Sequence, residues 1–318
     1  MNLSWDNYLG SSPDLYAQKV LKECGLKEPP ICDMTVADYL GLEVKEIPPN
    51  SIREFFGSLS HNVINTVCAM LVKRGNKGCI YYNGETMLER KRLSIFHECG
   101  HEILPWHDGH DYCCSDKDVD PEVHKKIERE AFNCGSEFLM PKKSFIGDVL
   151  SLETGVSAIE QLGQRYVASM EATAIWYARN HPGLCGIVML ESSENHKPPQ
   201  KGIIAPGQSR LPYKIQRRPG RPFDTERYPL IVKYSVKSHH FPKYIRSGQG
   251  IEGNNRIFEA WYYNRQIREE IPAAVFGSSA KWSYNAECLP LGNTGRMLVL
   301  LWLPSRQIKF NFDNGVML

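Results

Sequence analysis

One pentapeptide constrains this chain more than any other feature: His97-Glu98-Cys99-Gly100-His101, set in an apolar run. On a helix, residues i and i+4 lie on one face, so both histidines can serve a single metal ion. Glu98 then projects beside them, where a carboxylate can take a proton from water activated there. The flanks suit a buried helix. Leu93, Ile95, Phe96, Ile103 and Leu104 are apolar, and Pro105 stops the helix. A solvated helix carrying the same letters by chance would not sit among such neighbours. The pattern therefore predicts a zinc site that performs chemistry.

Zinc that keeps one position for water needs a third protein ligand. His107 lies six residues beyond His101, at the spacing of the third histidine in H-E-x-x-H-x-x-G-x-x-H. That pattern needs a glycine at the chain reversal, and here the position is Leu104, followed by Pro105. A carboxylate from a later helix fits better. Residues 121–140 open with Pro121, carry Ile127, Ala131, Phe138 and Leu139 at helical spacing, and end at Pro141. Glu128, Ala131, Phe132 and Gly135 share one face of that helix, and the small residues permit close packing against the histidine helix. Glu130 points about 200° away from Glu128. Glu128 is the preferred third ligand.

Ser94-Ile95-Phe96-His97-Glu98-Cys99-Gly100-His101, Ile127-Glu128-Arg129-Glu130-Ala131 and Leu139-Met140-Pro141 together resemble the ImmA/IrrE family of zinc metallopeptidases. The resemblance covers roughly residues 15–180 and maps the family's glutamate ligand onto Glu128. Departures fall at Phe132, where the family carries Asn, and at Cys134 and Glu137, where small residues are usual; these bear on packing more than on the site. The Pro105-Trp106-His107 and Cys113-Cys114-Ser115 stretches, with the long C-terminal region, look most like the defence-associated, CapP-like members. The resemblance implies one Zn2+ per chain. It also implies a helix-turn-helix repressor as protein substrate, cut after DNA damage or phage stress.

Composition agrees with a soluble, cytoplasmic enzyme: 318 residues, 42% hydrophobic and 23% charged, suit a globular chain of two domains. The start has neither the basic region nor the apolar core of a signal peptide. The longest apolar stretch, Met297–Leu303, is far too short for a membrane span and reads as a buried strand. Ten cysteines are scattered without a C-x-x-C pair, which points to reduced thiols.

Periodicity predicts short helices at 13–25 and 34–41, strands at 42–47, 67–72 and 78–82, and helices at 156–166 and 169–180, with Ser169 as N-cap. Beyond a strand at 185–191, residues 192–200 read as a linker or long loop. Strands follow at 230–236, 281–289 and 297–303, with a helix at 254–263. The expected class is α+β: a zincin-like metallopeptidase domain over 1–182, then a smaller domain over 183–318. By resemblance, the second is a GAF-like sensor.

Charge is unevenly placed. The chain carries only +2 overall, yet residues 200–250 are crowded with Lys and Arg against Asp224 and Glu226 alone. Tyr213, Phe223, Tyr228, Tyr234, Phe241 and Tyr244 are interleaved. Cations for phosphates and aromatics for bases suit a single-strand platform, with Arg217, Arg218, Arg221, Lys233 and Lys237 as candidate contacts. A solvated basic face over core aromatics accounts for the same residues. Cys113 and Cys114 fall between the two metal helices. A thiolate from Cys113, or from Cys114, would displace the water as an inhibitory fourth ligand, and free thiols in a polar loop are the plainer reading. The sequence thus predicts a zinc endopeptidase with a regulatory C-terminal domain, stimulated by single-stranded DNA. Its rival is a nucleic-acid- or ligand-binding regulator whose metal site is structural or silent.

Overall fold

The structure is a computed structural model that describes residues 12–48, 68–74, 77–107, 121–193 and 228–303. The chain divides into two compact units, Met1–Ser151 with Ile159–Trp176, and Leu152–Ala158 with Tyr177–Leu318. Among the described residues no helix is long and apolar enough to cross a membrane.

The first unit opens with α1 (Pro13–Glu23) and α2 (Asp33–Tyr39), then a three-stranded sheet of β1 (Leu42–Ile47), β2 (Ala69–Arg74) and β3 (Lys77–Asn83). The sheet order is β1-β3-β2, with β1 parallel and β2 antiparallel to β3. Helix α3 (Leu88–Ile103) carries the H-E-x-x-H pentapeptide and packs against β2 and β3. A 3-10 turn over Pro105–His107 follows, and α4 (Pro121–Leu139) then runs along α3. Gly100 and Gly135 set how closely these two helices lie. A Cβ on Gly100 would stand 2.7 Å from the Ala131 carbonyl oxygen, and one on Gly135 would stand 2.9 Å from the His97 nitrogen. Phe96 and Phe138 stack across the same interface, 5.7 Å between centroids.

Three further helices follow: α5 (Lys142–Ser151), α6 (Val156–Tyr166) and α7 (Met170–Asn180). Buried Arg92 of α3 donates to the carbonyls of Tyr166 (2.6 Å), Val167 (2.8 Å) and Ile31. It thereby satisfies carbonyls that the end of α6 leaves without helical partners. Ser169 caps α7 as expected, its hydroxyl accepting from Ala172 N at 3.2 Å. Helix α5 was not foreseen. Its start is held by Glu137, which accepts from Lys142 N at 3.1 Å.

The second unit is an antiparallel sheet of β4 (Cys185–Ser192), β5 (Leu230–Lys237), β6 (Gly250–Ile251), β7 (Ile267–Pro272), β8 (Ser283–Pro290) and β9 (Arg296–Trp302). Its order is β6-β5-β4-β9-β8-β7. β4 and β9 are central and buried along nearly their whole length, which is why both read as continuous apolar runs. Edge strand β7 buries only Ile267, Ile271 and little else, and its charged sequence hides it from a hydrophobicity reading. Between β6 and β7, α8 (Arg256–Tyr262) is capped by Asn255, whose Oδ1 accepts from Ile257 N (2.9 Å) and Phe258 N (3.1 Å). It sets Ile257, Phe258 and Trp261 into a core with Phe241, Phe276 and Tyr284. Glu287 of β8, almost fully buried, accepts from Val156 N and from Gln266 Nε2, both at 2.7 Å.

Candidate metal centre

His97 and His101 stand one turn apart on α3, and both turn Nε2 toward Glu128 on α4. His97 Nε2 lies 3.2 Å from Glu128 Oε2, His101 Nε2 lies 3.5 Å from Oε1, and the two Nε2 atoms are 3.1 Å apart. Among the described residues, these three form the group that could hold a metal ion. Zinc bonds of about 2.0 Å in a tetrahedron place neighbouring donors about 3.3 Å apart, and the observed spacings bracket that edge. Two neutral imidazoles and a carboxylate are also a donor set that zinc accepts, with one position left over. The residues fit the ion.

The charges of the cluster are interlocked. Burial opposes a charged His97, but its hydrogen bond with Glu128 and the charges of Glu98 and Glu128 outweigh that and raise its pKa. His101 goes the other way, to about 4, driven by burial and by the like charge of His97 against the pull of Glu128. Burial alone would raise Glu128, yet hydrogen bonds from His101 and His97 hold it well below the usual carboxylate range. Glu98 is 7% exposed and is not one of that group of three. Its Oε2 accepts from the backbone nitrogen of Leu71 on β2 at 3.0 Å. Burial pushes the Glu98 carboxyl up to about 6, against the His97 charge and the Leu71 hydrogen bond.

His107, the alternative third ligand, lies outside the cluster. It is fully buried behind His101, with the two Nδ1 atoms 3.2 Å apart. Its Nε2 faces Glu130 Oε2 at 3.2 Å, and the same oxygen accepts from Trp106 Nε1 at 2.6 Å. This support behind His101 was missed from sequence, as was the Leu71 amide that orients Glu98. The first had a weak signal in the spacing of His107 and in Glu130 facing away from Glu128; a backbone donor has none. Cys113, Cys114, Arg217, Arg218 and Arg221 lie outside the described residues. Lys233 and Lys237 sit on β5, Lys233 paired with Glu191 at 3.2 Å and Lys237 donating to the Phe241 carbonyl at 3.0 Å.

Residues 38–175 match the family model of the IrrE N-terminal-like domain, Peptidase_M78. The match spans both helices of the cluster and is a likeness over less than half of the chain. Among solved structures, a Mycobacterium tuberculosis transcriptional regulator is similar in fold, with a TM-score of 0.51 at 13% identity, over 96% of this chain and 80% of that one. A comparison with curated proteins found no match.

Proposed function

We propose that the chain is a zinc-dependent endopeptidase that cleaves a partner helix-turn-helix repressor in the cytoplasm, in response to DNA damage or phage stress. The observation that carries this reading is the convergence of His97, His101 and Glu128 beside a separately oriented Glu98. A structural metal site has no use for a buried carboxylate next to its ligands. When bound, zinc supplies a Lewis acid that polarises the scissile carbonyl and lowers the pKa of water. His97, His101 and Glu128 hold it. Glu98 accepts a proton from the attacking water and then delivers it to the leaving amine. A carboxyl raised to about 6 suits both halves of that task near neutral pH. The Leu71 amide fixes one oxygen of that carboxylate.

Regulation, in this reading, belongs to residues 183–318 as a GAF-like sensor domain following a peptidase domain over 1–182. Single-stranded DNA binding along the basic segment, with Lys233 and Lys237 at its C-terminal end, provides the stimulus, and Cys113 caps the metal at rest. The deciding experiment uses Glu98→Gln. It should keep one zinc per chain and lose about 10²–10⁴-fold in cleavage of the repressor. Robust cleavage by this variant would remove Glu98 from the chemistry. A wild-type protein that binds zinc and single-stranded DNA but cuts no repressor would favour the regulator with a silent site.

A further inference from the structure

We propose that Lys73 and Glu102 are positioning residues, whose ion pair holds β2 in step with α3 so that the Leu71 amide stays aimed at Glu98. The inference rests on the reading of Glu98 as the base. Among the described residues β2 is an edge strand, paired with β3 on one side. Leu71 N donates outward to Glu98 Oε2 at 3.0 Å, and by the alternation of strand amides those of Met70 and Val72 face β3. The group that orients Glu98 thus lies on the edge that β3 does not hold.

A second link crosses from β2 to α3 two residues further on. Lys73 Nζ stands 3.0 Å from Glu102 Oε2. The spacings of the two links agree. Glu98 and Glu102 are one turn apart on α3, about 6 Å along its axis. Leu71 and Lys73 are about 6.6 Å apart along β2 and project to one face of its pleat. Helix and strand therefore run in step, joined by two rungs. The second rung carries full charges. Glu102 Oε2 is closed off from water, although the side chain as a whole is half-buried. An oxyanion so placed needs a cation beside it. Lifting β2 from α3 would leave that oxygen without the Lys73 charge, so the pair opposes the same motion that would carry the Leu71 amide away from Glu98. Neither residue belongs to the group that could hold the ion, so the pair bears on the base and not on the ligand set.

The test reads the Leu71 amide itself, by hydrogen exchange on the zinc-loaded full chain, with the amides of Met70 and Val72 as internal controls. Glu98→Ala should speed exchange at Leu71 about tenfold. An unchanged rate means that the first rung does not exist and overturns the proposal. Lys73→Met keeps the aliphatic stem and Glu102→Gln keeps the shape. Each should speed exchange at Leu71 about two- to fivefold, with Met70, Val72 and zinc affinity by chelator competition unchanged. Lys73→Arg should hold the wild-type rate. Equal acceleration at all three amides marks a general loosening of the sheet, and no acceleration at Leu71 marks an idle surface pair; either result overturns the proposal. Combining Lys73→Glu with Glu102→Lys should bring Leu71 back toward the wild-type rate from either single reversal, and summed effects of the two reversals count against the pair. Cleavage of the repressor by Glu98→Gln separates the two levels. If cleavage is lost while Leu71 ignores the Lys73 and Glu102 variants, the rungs alone fail; if cleavage survives while Leu71 responds as expected, the rungs stand and the reading of Glu98 as base fails.

Discussion

Adding one methyl group between α3 and α4 sets two effects of opposite sign against each other. Within a helix, Gly→Ala is ordinarily stabilising by about 1 kcal/mol, because alanine loses less backbone entropy on folding. At Gly135 the new Cβ would stand 2.9 Å from His97 N, 3.0 Å from His97 Cα and 3.1 Å from the Phe96 carbonyl carbon. Carbon atoms pack best at about 3.5–4.0 Å, so the helices must part by roughly half an ångström or more. All three neighbours are backbone, and no rotamer change can relieve the clash. Overpacking of this kind costs about 1–3 kcal/mol, which cancels or exceeds the propensity gain. The site reports the shift more sharply than stability does. Glu128 is on the helix that moves and His97 on the helix it moves from, whereas metal sites tolerate only about 0.2 Å in their distances. Gly135→Ala should therefore leave folding stability unchanged or lower by up to about 2 kcal/mol, and weaken zinc binding about tenfold or more. Gly100→Ala, facing the Ala131 carbonyl oxygen at 2.7 Å, should behave alike. Gly147→Ala on α5 is the control, exposed with nothing within 4 Å, and should gain about 1 kcal/mol with zinc affinity untouched. The assays are urea denaturation and chelator competition on the same preparations. A Gly135→Ala protein that gains the full helical increment and binds zinc as tightly as wild type would refute the reasoning.

Other outcomes follow from single groups. Glu137 is 1% exposed, and burial pushes its carboxyl from 4.5 up to about 7, with Asp14 adding and its hydrogen bonds from Lys142 N and Gln18 opposing. A raised carboxyl holds its proton better in the folded state, so its stability contribution is present below pH 4.5 and lost as pH rises through 7. Glu137→Gln should thus gain on wild type between pH 5 and 8 by on the order of 3 kcal/mol, and parallel denaturation curves at the two pH values would count against it. If Cys113 caps the metal, X-ray absorption on resting enzyme should show sulfur about 2.3 Å from zinc, and Cys113→Ala should raise basal cleavage; an all nitrogen-and-oxygen shell dismisses the cap. Joint charge reversal at Arg217, Arg218 and Arg221 should weaken single-stranded DNA binding and flatten its salt dependence by about three units without changing zinc content, and stimulation that survives the triple variant would return this stretch to ordinary solvated surface.

The parts of the fold legible in sequence are those where burial and periodicity agree. Helices α1, α2, α6 and α7 and strands β1, β4, β5 and β9 lie within a few residues of their expected positions, since each buries an apolar stripe or both faces. Helix α5 gives little periodic signal, because it follows Pro141 closely and interrupts a weak apolar stripe with Gly147. β7 gives no hydrophobic signal, because an edge strand with one covered face tolerates Arg268, Glu269 and Glu270 in succession. At the site, the i, i+4 spacing of His97 and His101 and the face of α4 that carries Glu128, Ala131 and Gly135 were enough to bring three donors together on paper. His107 shows where linear spacing stops informing. Six residues past His101, it reads as a ligand or as a bystander, and only the turn at Pro105–His107 places it behind the ring instead of beside the cluster.

That arrangement mounts the two halves of the proposed chemistry on different supports. Helices α3 and α4 supply His97, His101 and Glu128, and their separation is fixed by Gly100, Ala131 and Gly135. Glu98 shares α3, but its carboxylate is oriented from the sheet, by the Leu71 amide of β2. A backbone amide cannot be removed by changing a side chain, and it has no conformers of its own while the strand stays paired with β3. One oxygen of Glu98 is therefore fixed by something more rigid than a neighbouring side chain. This matters because a carboxylate free to turn would compete with water for the position the three donors leave over. In the proposed reading, a base held on the strand leaves that position to water, so loss of Glu98 and loss of Glu128 should separate into a failure of proton transfer and a failure of metal binding.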